Sequence, residues 1–182
     1  MKFSSRLTQS NAKSQAGLTL IETLVSLAIF ALVVGGALAL FGSASSSQTT
    51  TQMTSDLTSI RSSTKQLFFG QGGYGSGALN AVLVNSDKIP ATMTVSTATP
   101  PVITHSQSGT VSVAGIANTN TFTITTTLIS KAVCIGLVGT PGWTSVKVNA
   151  LAAMIPATTP ITPVIASTNC AADTNTIVFT SV

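Results

Sequence analysis

"SQAGLTLIETLVSLAIFALVVGGALALF" runs from Ser14 to Phe41. Between Leu24 and Phe41 the one clearly polar side chain is Ser26. Counted from Leu18, the run is long enough to cross a hydrocarbon core of about 30 Å as an α-helix. Two residues do not fit a plain membrane span. Gly17 stands directly before it, and Glu22 sits near its start. A carboxylate at helix-centre depth costs about 2.5–3.5 kcal/mol, and less towards the helix end.

A secretory signal removed near "GSASSS" (Gly42 to Ser47) would explain the basic start, but its apolar region is normally about 7–15 residues. An ordinary membrane anchor fits the length and leaves Glu22 without a role. A third reading accounts for Gly17, Leu18 and Glu22 together. The pattern "AG" followed by "LTLIETLVSLAIFALVVGGALAL" resembles the class III signal of type IV pilins. The resemblance covers Lys13 to about Phe41. It implies cleavage by a prepilin peptidase between Gly17 and Leu18 at the cytoplasmic membrane face, with the apolar run kept as the N-terminal helix. It also implies N-methylation of Leu18 and makes Glu22 the fifth mature residue. Glu22 then has a physical task. A carboxylate buried among packed helices needs a partner, and the new Leu18 α-amine of a neighbouring subunit is the obvious one. Gly17 leaves the scissile peptide sterically open. Thr19, Thr23 and Ser26 read as packing or back-bonding hydroxyls. Gly35 and Gly36 are either the weakest point of the helix or a place for close helix packing.

Charge supports an inside-to-outside orientation. Lys2, Arg6 and Lys13 precede Gly17 with no acidic residue among them, and the remainder holds five cations against four carboxylates. The basicity belongs to the first segment, as in the positive-inside rule. The overall pI is therefore no argument for nucleic acid, and none is expected as a partner. Charged residues are 7% of the chain and apolar ones 44%, a composition that suits a β-rich exported head rather than a disordered tail. The two cysteines, Cys134 and Cys170, lack the CxxC or His spacing of a zinc site. In an exported region a disulfide is the natural reading, with two buried thiols as the alternative.

Beyond the membrane run no proline occurs before Pro90. Met53, Leu57, Ile60, Thr64 and Leu67 recur at spacings of four and three, one face of an amphipathic helix. One helix is therefore expected from Leu18 to about Phe69, ended by the glycines of "GQGGYGSG" (Gly70 to Gly77). Leu79, Val82 and Leu83 suit a short helix closed by Pro90. The period then changes. "TVSVAG" (110–115) and "NTFTITTTLI" (120–129) alternate as strands, as do "WTSVKVNAL" (143–151) and "TIVFTSV" (176–182). "SKAVCIGLVG" from Ser130 fits a short helix carrying Cys134, with a strand also open. "PATTPITPV" (156–164) reads as a loop. The expected fold class is α+β: a long, half-transmembrane N-terminal helix packed against an antiparallel sheet. The divisions are a leader (1–17), a membrane and filament-core helix (18–42), an amphipathic half (43–70) and a head (71–182).

"YGSGALNAVLVNSDKIPATM" (Tyr74 to Met93) further resembles PilS-like type IVb pilins, which include thin-pilus subunits of conjugative systems and bundle-forming and toxin-coregulated pilins. The long hydrophilic leader and the non-Phe residue Leu18 point the same way. The resemblance implies that Cys134 and Cys170 bracket a C-terminal variable region used in filament contacts and recognition. It also implies a self-polymerising subunit that is held first in the inner membrane, processed by prepilin peptidase, handled by an inner-membrane assembly platform, and displayed on a Gram-negative surface. The fibre would serve adhesion, aggregation, motility or conjugative mating contact. A type II secretion pseudopilin or minor pilin is the nearest rival, and a signal-anchored binding protein that never polymerises is the next. No catalytic constellation, cofactor motif or metal set is found: four acidic residues and one histidine are too few for acid–base work or a metal triad. His105 lies in a Ser/Thr-rich stretch and is expected to be exposed. Tyr74 reads as a contact residue or as a packing anchor.

Overall fold

A computed structural model describes residues 19–182. Helix α1 covers Leu20–Leu67, 48 residues without interruption, so Gly35 and Gly36 do not break it. Its contacts fall into two units, one ending at Phe41 and one from Gly42 to Val182. Ser and Thr are modest helix formers because their hydroxyls compete for backbone groups. Here that competition is absorbed within the helix: Ser46, Thr49, Thr50, Thr51, Thr58 and Thr64 each donate to the carbonyl four residues back. Met53, Leu57, Ile60 and Thr64 are buried and Leu67 is half-buried, as the spacing predicts. Gly70 then takes a positive φ of 81°, the left-handed conformation that ends helices and favours glycine.

The head is a seven-stranded antiparallel sheet with α1 and short helices against one face. The strands are β1 (Gly77–Ala78), β2 (Thr94–Val95), β3 (Ile103–Thr104), β4 (Thr110–Gly115), β5 (Phe122–Ser130), β6 (Ser145–Val148) and β7 (Thr174–Ser181). Their order is β2-β3-β4-β5-β7-β6, with β1 paired to the end of β4. Strand β7 therefore lies between β5 and β6, although it comes last in the chain. Helices α2 (Asn80–Asn85), α3 (Lys131–Val138) and α4 (Pro163–Asn169) complete the set.

Alternation sorts the two faces. Val111, Val113, Phe122, Ile124, Ile177, Phe179, Val146 and Val148 point inward and join Met53, Leu57 and Ile60 of α1 and Val133 and Leu137 of α3 in one core. The opposite face is built of cross-strand rows. Ala114, Thr123, Thr180 and Ser145 form one, and Ser112, Thr125, Val178 and Lys147 the next. Beside them Thr110 and Thr127 join hydroxyls at 3.0 Å. Between Thr126 and Ile129 the β5–β7 register shifts in a bulge, where Leu128 takes φ 55° and is exposed.

Several expectations change in detail. Of the three apolar residues expected there, Val82 is exposed, while Leu83 of α2 and Leu79 just before it are buried. Asn80 is also buried: its side chain donates to Val111 O and accepts from Val113 N, extending the β1–β4 ladder with an amide in place of a peptide. The proline-spaced stretch is not wholly loop. Pro163 opens α4, with Thr162 Oγ1 accepting from Ile165 N. Proline suits a first helical turn, whose N–H groups lack internal partners. The strand expected from Trp143 begins at Ser145, because Trp143 packs 4.8 Å from the Phe179 ring and 5.1 Å beneath the Arg61 guanidinium.

His105 is buried, against expectation, at 4% exposure. Its Nε2 lies 2.9 Å from Thr127 O, and its Nδ1 lies 3.2 Å from the Gln107 N–H. A carbonyl only accepts and an N–H only donates, so the ring is the neutral Nε2–H tautomer. A second proton would face the Gln107 N–H. Burial holds the pKa below its ordinary value of 6.5, partly opposed by the Thr127 bond. The unfolded chain thus binds the proton more readily than the folded one. His105 costs no stability above about pH 6.5 and lowers it as pH falls below that value, until the folded group also titrates. Denaturant midpoints measured from pH 7.5 to 5 should fall, and His105→Gln should flatten that slope.

Gly136 of α3 lets α1 approach closely. A Cβ there would lie 2.5 Å from Thr50 Cγ2, and Thr50 is held by its bond to Ser46 O. Gly136→Ala should destabilise by about 1–3 kcal/mol through overpacking. In a Thr50→Ala background the sign should reverse, leaving the helix-propensity gain of about 1 kcal/mol. Unfolding of the four proteins in a double-mutant cycle checks this.

Candidate functional site

The first half of α1 is the feature the head does not explain. Every residue from Leu20 to Phe41 is exposed, including Phe30 at 67%, Leu32 at 79% and Phe41 at 74%. The helix contains an 18-residue window of mean hydropathy 2.6. At about 1.5 Å per residue these 22 positions reach about 33 Å, the thickness of a hydrocarbon core. Such a surface is covered by lipid or by other helices.

Glu22 lies in the first turn of α1, where the positive end of the helix dipole favours a carboxylate. Its backbone N–H donates weakly to Thr19 Oγ1 at 3.4 Å. The neighbouring hydroxyls bond to the backbone: Thr23 Oγ1 donates to Leu20 O and Ser26 Oγ to Glu22 O, both at 2.8 Å. These are the back-bonding hydroxyls expected from the sequence. No Lys or Arg occurs between Ser14 and Ile60, so the near sequence offers Glu22 no cationic side chain. Gly17 and Leu18, the expected cleavage and methylation positions, lie outside the described residues.

At the other end of the chain, Cys134 and Cys170 form a disulfide with Cα atoms 5.9 Å apart and a sequence separation of 36. It ties α3 to the end of α4 and encloses the whole of β6 and the 149–162 connection. Tyr74 is half-buried, its ring 4.6 Å from Phe122 and 5.6 Å from Phe68, which makes it a packing anchor for the glycine-rich loop. Among the described residues no group of three or more His, Cys, Asp or Glu side chains is placed to hold a metal.

Two polar sites were not foreseen in the sequence. Asp56, on the core-facing side of α1, accepts from Thr92 Oγ1 at 2.8 Å. Arg61 donates from Nε to Ser181 Oγ at 3.0 Å while stacking on Trp143. Burial, and then Arg61 one turn away, lowers the pKa of Lys65. Both sites join residues far apart in sequence, and no local pattern marks them.

This combination, a long helix with a bare apolar half and an antiparallel sheet over its other half, is the fold of type IV pilins. The crystal structure of TcpA, a type IV pilin from Vibrio cholerae El Tor biotype, matches it at TM-score 0.52 and 15% identity, covering 74% of this chain and 99% of that one. Residues 12–38 match the prokaryotic N-terminal methylation motif, and residues 47–182 match the family described as PilS N terminal. The chain belongs to that PilS family, among the type IVb pilins. It is 35% identical over 130 residues to the major structural subunit of the bundle-forming pilus of Escherichia coli O127:H6 (strain E2348/69 / EPEC) and equally to that of E. coli O111:H-. The match takes in 70% of this chain and 65% of those relatives.

Reduction of Cys134–Cys170, or its replacement by two serines, should lower head stability by roughly 3–4 kcal/mol in the chain-entropy account of a loop this long. Chemical denaturation of the oxidised and reduced proteins measures it.

Proposed function

We propose that this chain is the structural subunit of a type IVb pilus, probed best through its assembly. It is made as a membrane-anchored precursor, cut by prepilin peptidase after Gly17, methylated on Leu18, and polymerised through the inner-membrane assembly platform into a fibre on a Gram-negative surface. One observation carries the reading: an exposed apolar helix that includes a carboxylate, Glu22, with no cation near it in sequence. A bilayer covers the apolar surface before assembly, and the helices of neighbouring subunits cover it afterwards. In that second setting Glu22 receives the Leu18 amine of an adjacent subunit. A buried charge is tolerated only when paired, so the pair fixes the axial position at which a subunit is accepted. The relatives' names support a major subunit, and the fibre would serve adhesion, aggregation or conjugative mating contact.

Fibres sheared from cells test the cleavage reading by intact mass and N-terminal sequence. A chain beginning with methylated Leu18 is expected; one beginning near Ser45 would make the helix a discarded signal. Glu22→Ala should yield normally cut, membrane-bound subunit and at least about a tenfold loss of fibre, since breaking a buried pair costs about 3–5 kcal/mol. Wild-type fibre levels from that variant would remove the pairing from the mechanism.

A further inference from the structure

The sheet face opposite the helices has no assigned role. Its rows hold Thr, Ser, Ala and Val, and in the two central rows the one charged side chain is Lys147, on edge strand β6. Thr123, Thr125, Val178 and Thr180 are all half-buried by their own neighbours, giving a low, even surface of methyls and hydroxyls. Threonine is stiff about χ1, so ordering it against a partner costs little side-chain entropy. No aromatic side chain lies in these rows to stack on a sugar or base. Typical soluble surfaces are about 25–35% charged; this face has almost no charge to hold a like face away.

We infer that this face is a lateral contact between two fibres, each contributing the same face of one subunit. The inference rests on the polymer proposed above. Size argues for it. Two rows about 6.7 Å apart on four strands about 4.8 Å apart, with the Thr110–Thr127 pair beside them, cover about 300 Å², less than half the roughly 800 Å² per partner of a stable complex. One such contact does not hold two free subunits together. Repeated along two fibres it does, because each contact made raises the effective concentration for the next.

Charge also selects the geometry. A two-fold axis across the strands would set Lys147 over the partner's Lys147. An axis parallel to the strands sets β6 over the partner's β4, so Lys147 meets Ser112 and its hydroxyl. Sheets stacked this way pack about 10 Å apart, and Thr125 lies over the partner's Val178, one strand from the partner's Lys147.

Electron microscopy of sheared fibres from the full chain tests this with three variants. Thr125→Lys brings a cation beside the partner's Lys147. It should leave fibre yield unchanged while the fraction of fibre length in side-by-side contact falls at least about tenfold, as small penalties multiply along the fibre. Thr125→Val keeps shape and should keep lateral contact. Thr125→Lys with Lys147→Glu should restore it. An intact disulfide and an unchanged melting midpoint in each variant exclude misfolding. Lateral contact in Thr125→Lys equal to wild type would overturn the inference, as would failure of the double variant to restore it or wild-type fibres that never associate. Wild-type cells that make no fibre would overturn the polymer reading itself, and this inference with it.

Discussion

A single helix has to satisfy two solvents in one register. From Leu20 to Phe41 it presents apolar side chains in every direction, and from Met53 onward it presents them on one side only. The helix runs on between these regimes, and the intervening Ser and Thr hydroxyls donate to the carbonyls four residues back. Those hydroxyls leave the helix exterior nearly free of charge. The head is placed by the apolar stripe of the second half, and the first half is left for lipid or for like helices. Every other element, from the sheet to the disulfide, works within that division.

The head is held by few strong polar contacts, each at a place where the chain must turn or where elements meet. Asn80 replaces a peptide at the β1–β4 junction, His105 braces the β3–β4 turn, and Arg61 links α1 to β7 and Trp143. With few ionic groups available, the sheet relies on side-chain packing on one face and on β-branched neighbours on the other. Such a surface depends little on salt.

Much of this was legible in the sequence where signals are local. The spacing of Met53, Leu57, Ile60 and Thr64 marks the buried side of α1, and the alternation in 110–115 and 120–129 marks β4 and β5. Gly70 marked the helix end, and the pairing of Cys134 with Cys170 followed from there being two cysteines in an exported setting. What was not legible depends on distant partners. The two-residue strands β1, β2 and β3 have no periodicity to read and exist because β4 is beside them or one strand away. His105 looked solvated because its neighbours are polar, yet it is buried by a carbonyl 22 positions away. Proline spacing suggests loop throughout 156–164, whereas Pro163 begins a helix. Within the candidate site, Glu22 stood out as an anomaly of composition, while Gly17 and Leu18 rest on motif alone.

The place of β7 has a consequence for the order of events during synthesis. Residues 174–181 fill the gap between β5 and β6, and they leave the ribosome after every other strand. Until they arrive, β5 has only β4 beside it, β6 has no sheet to join, and Phe122 and Ile124 have no Ile177 or Phe179 beside them. The head therefore cannot close progressively from its N-terminal side. Its core completes in one late, long-range step, of the kind that slows folding, by which time Cys170 has already emerged and can meet Cys134.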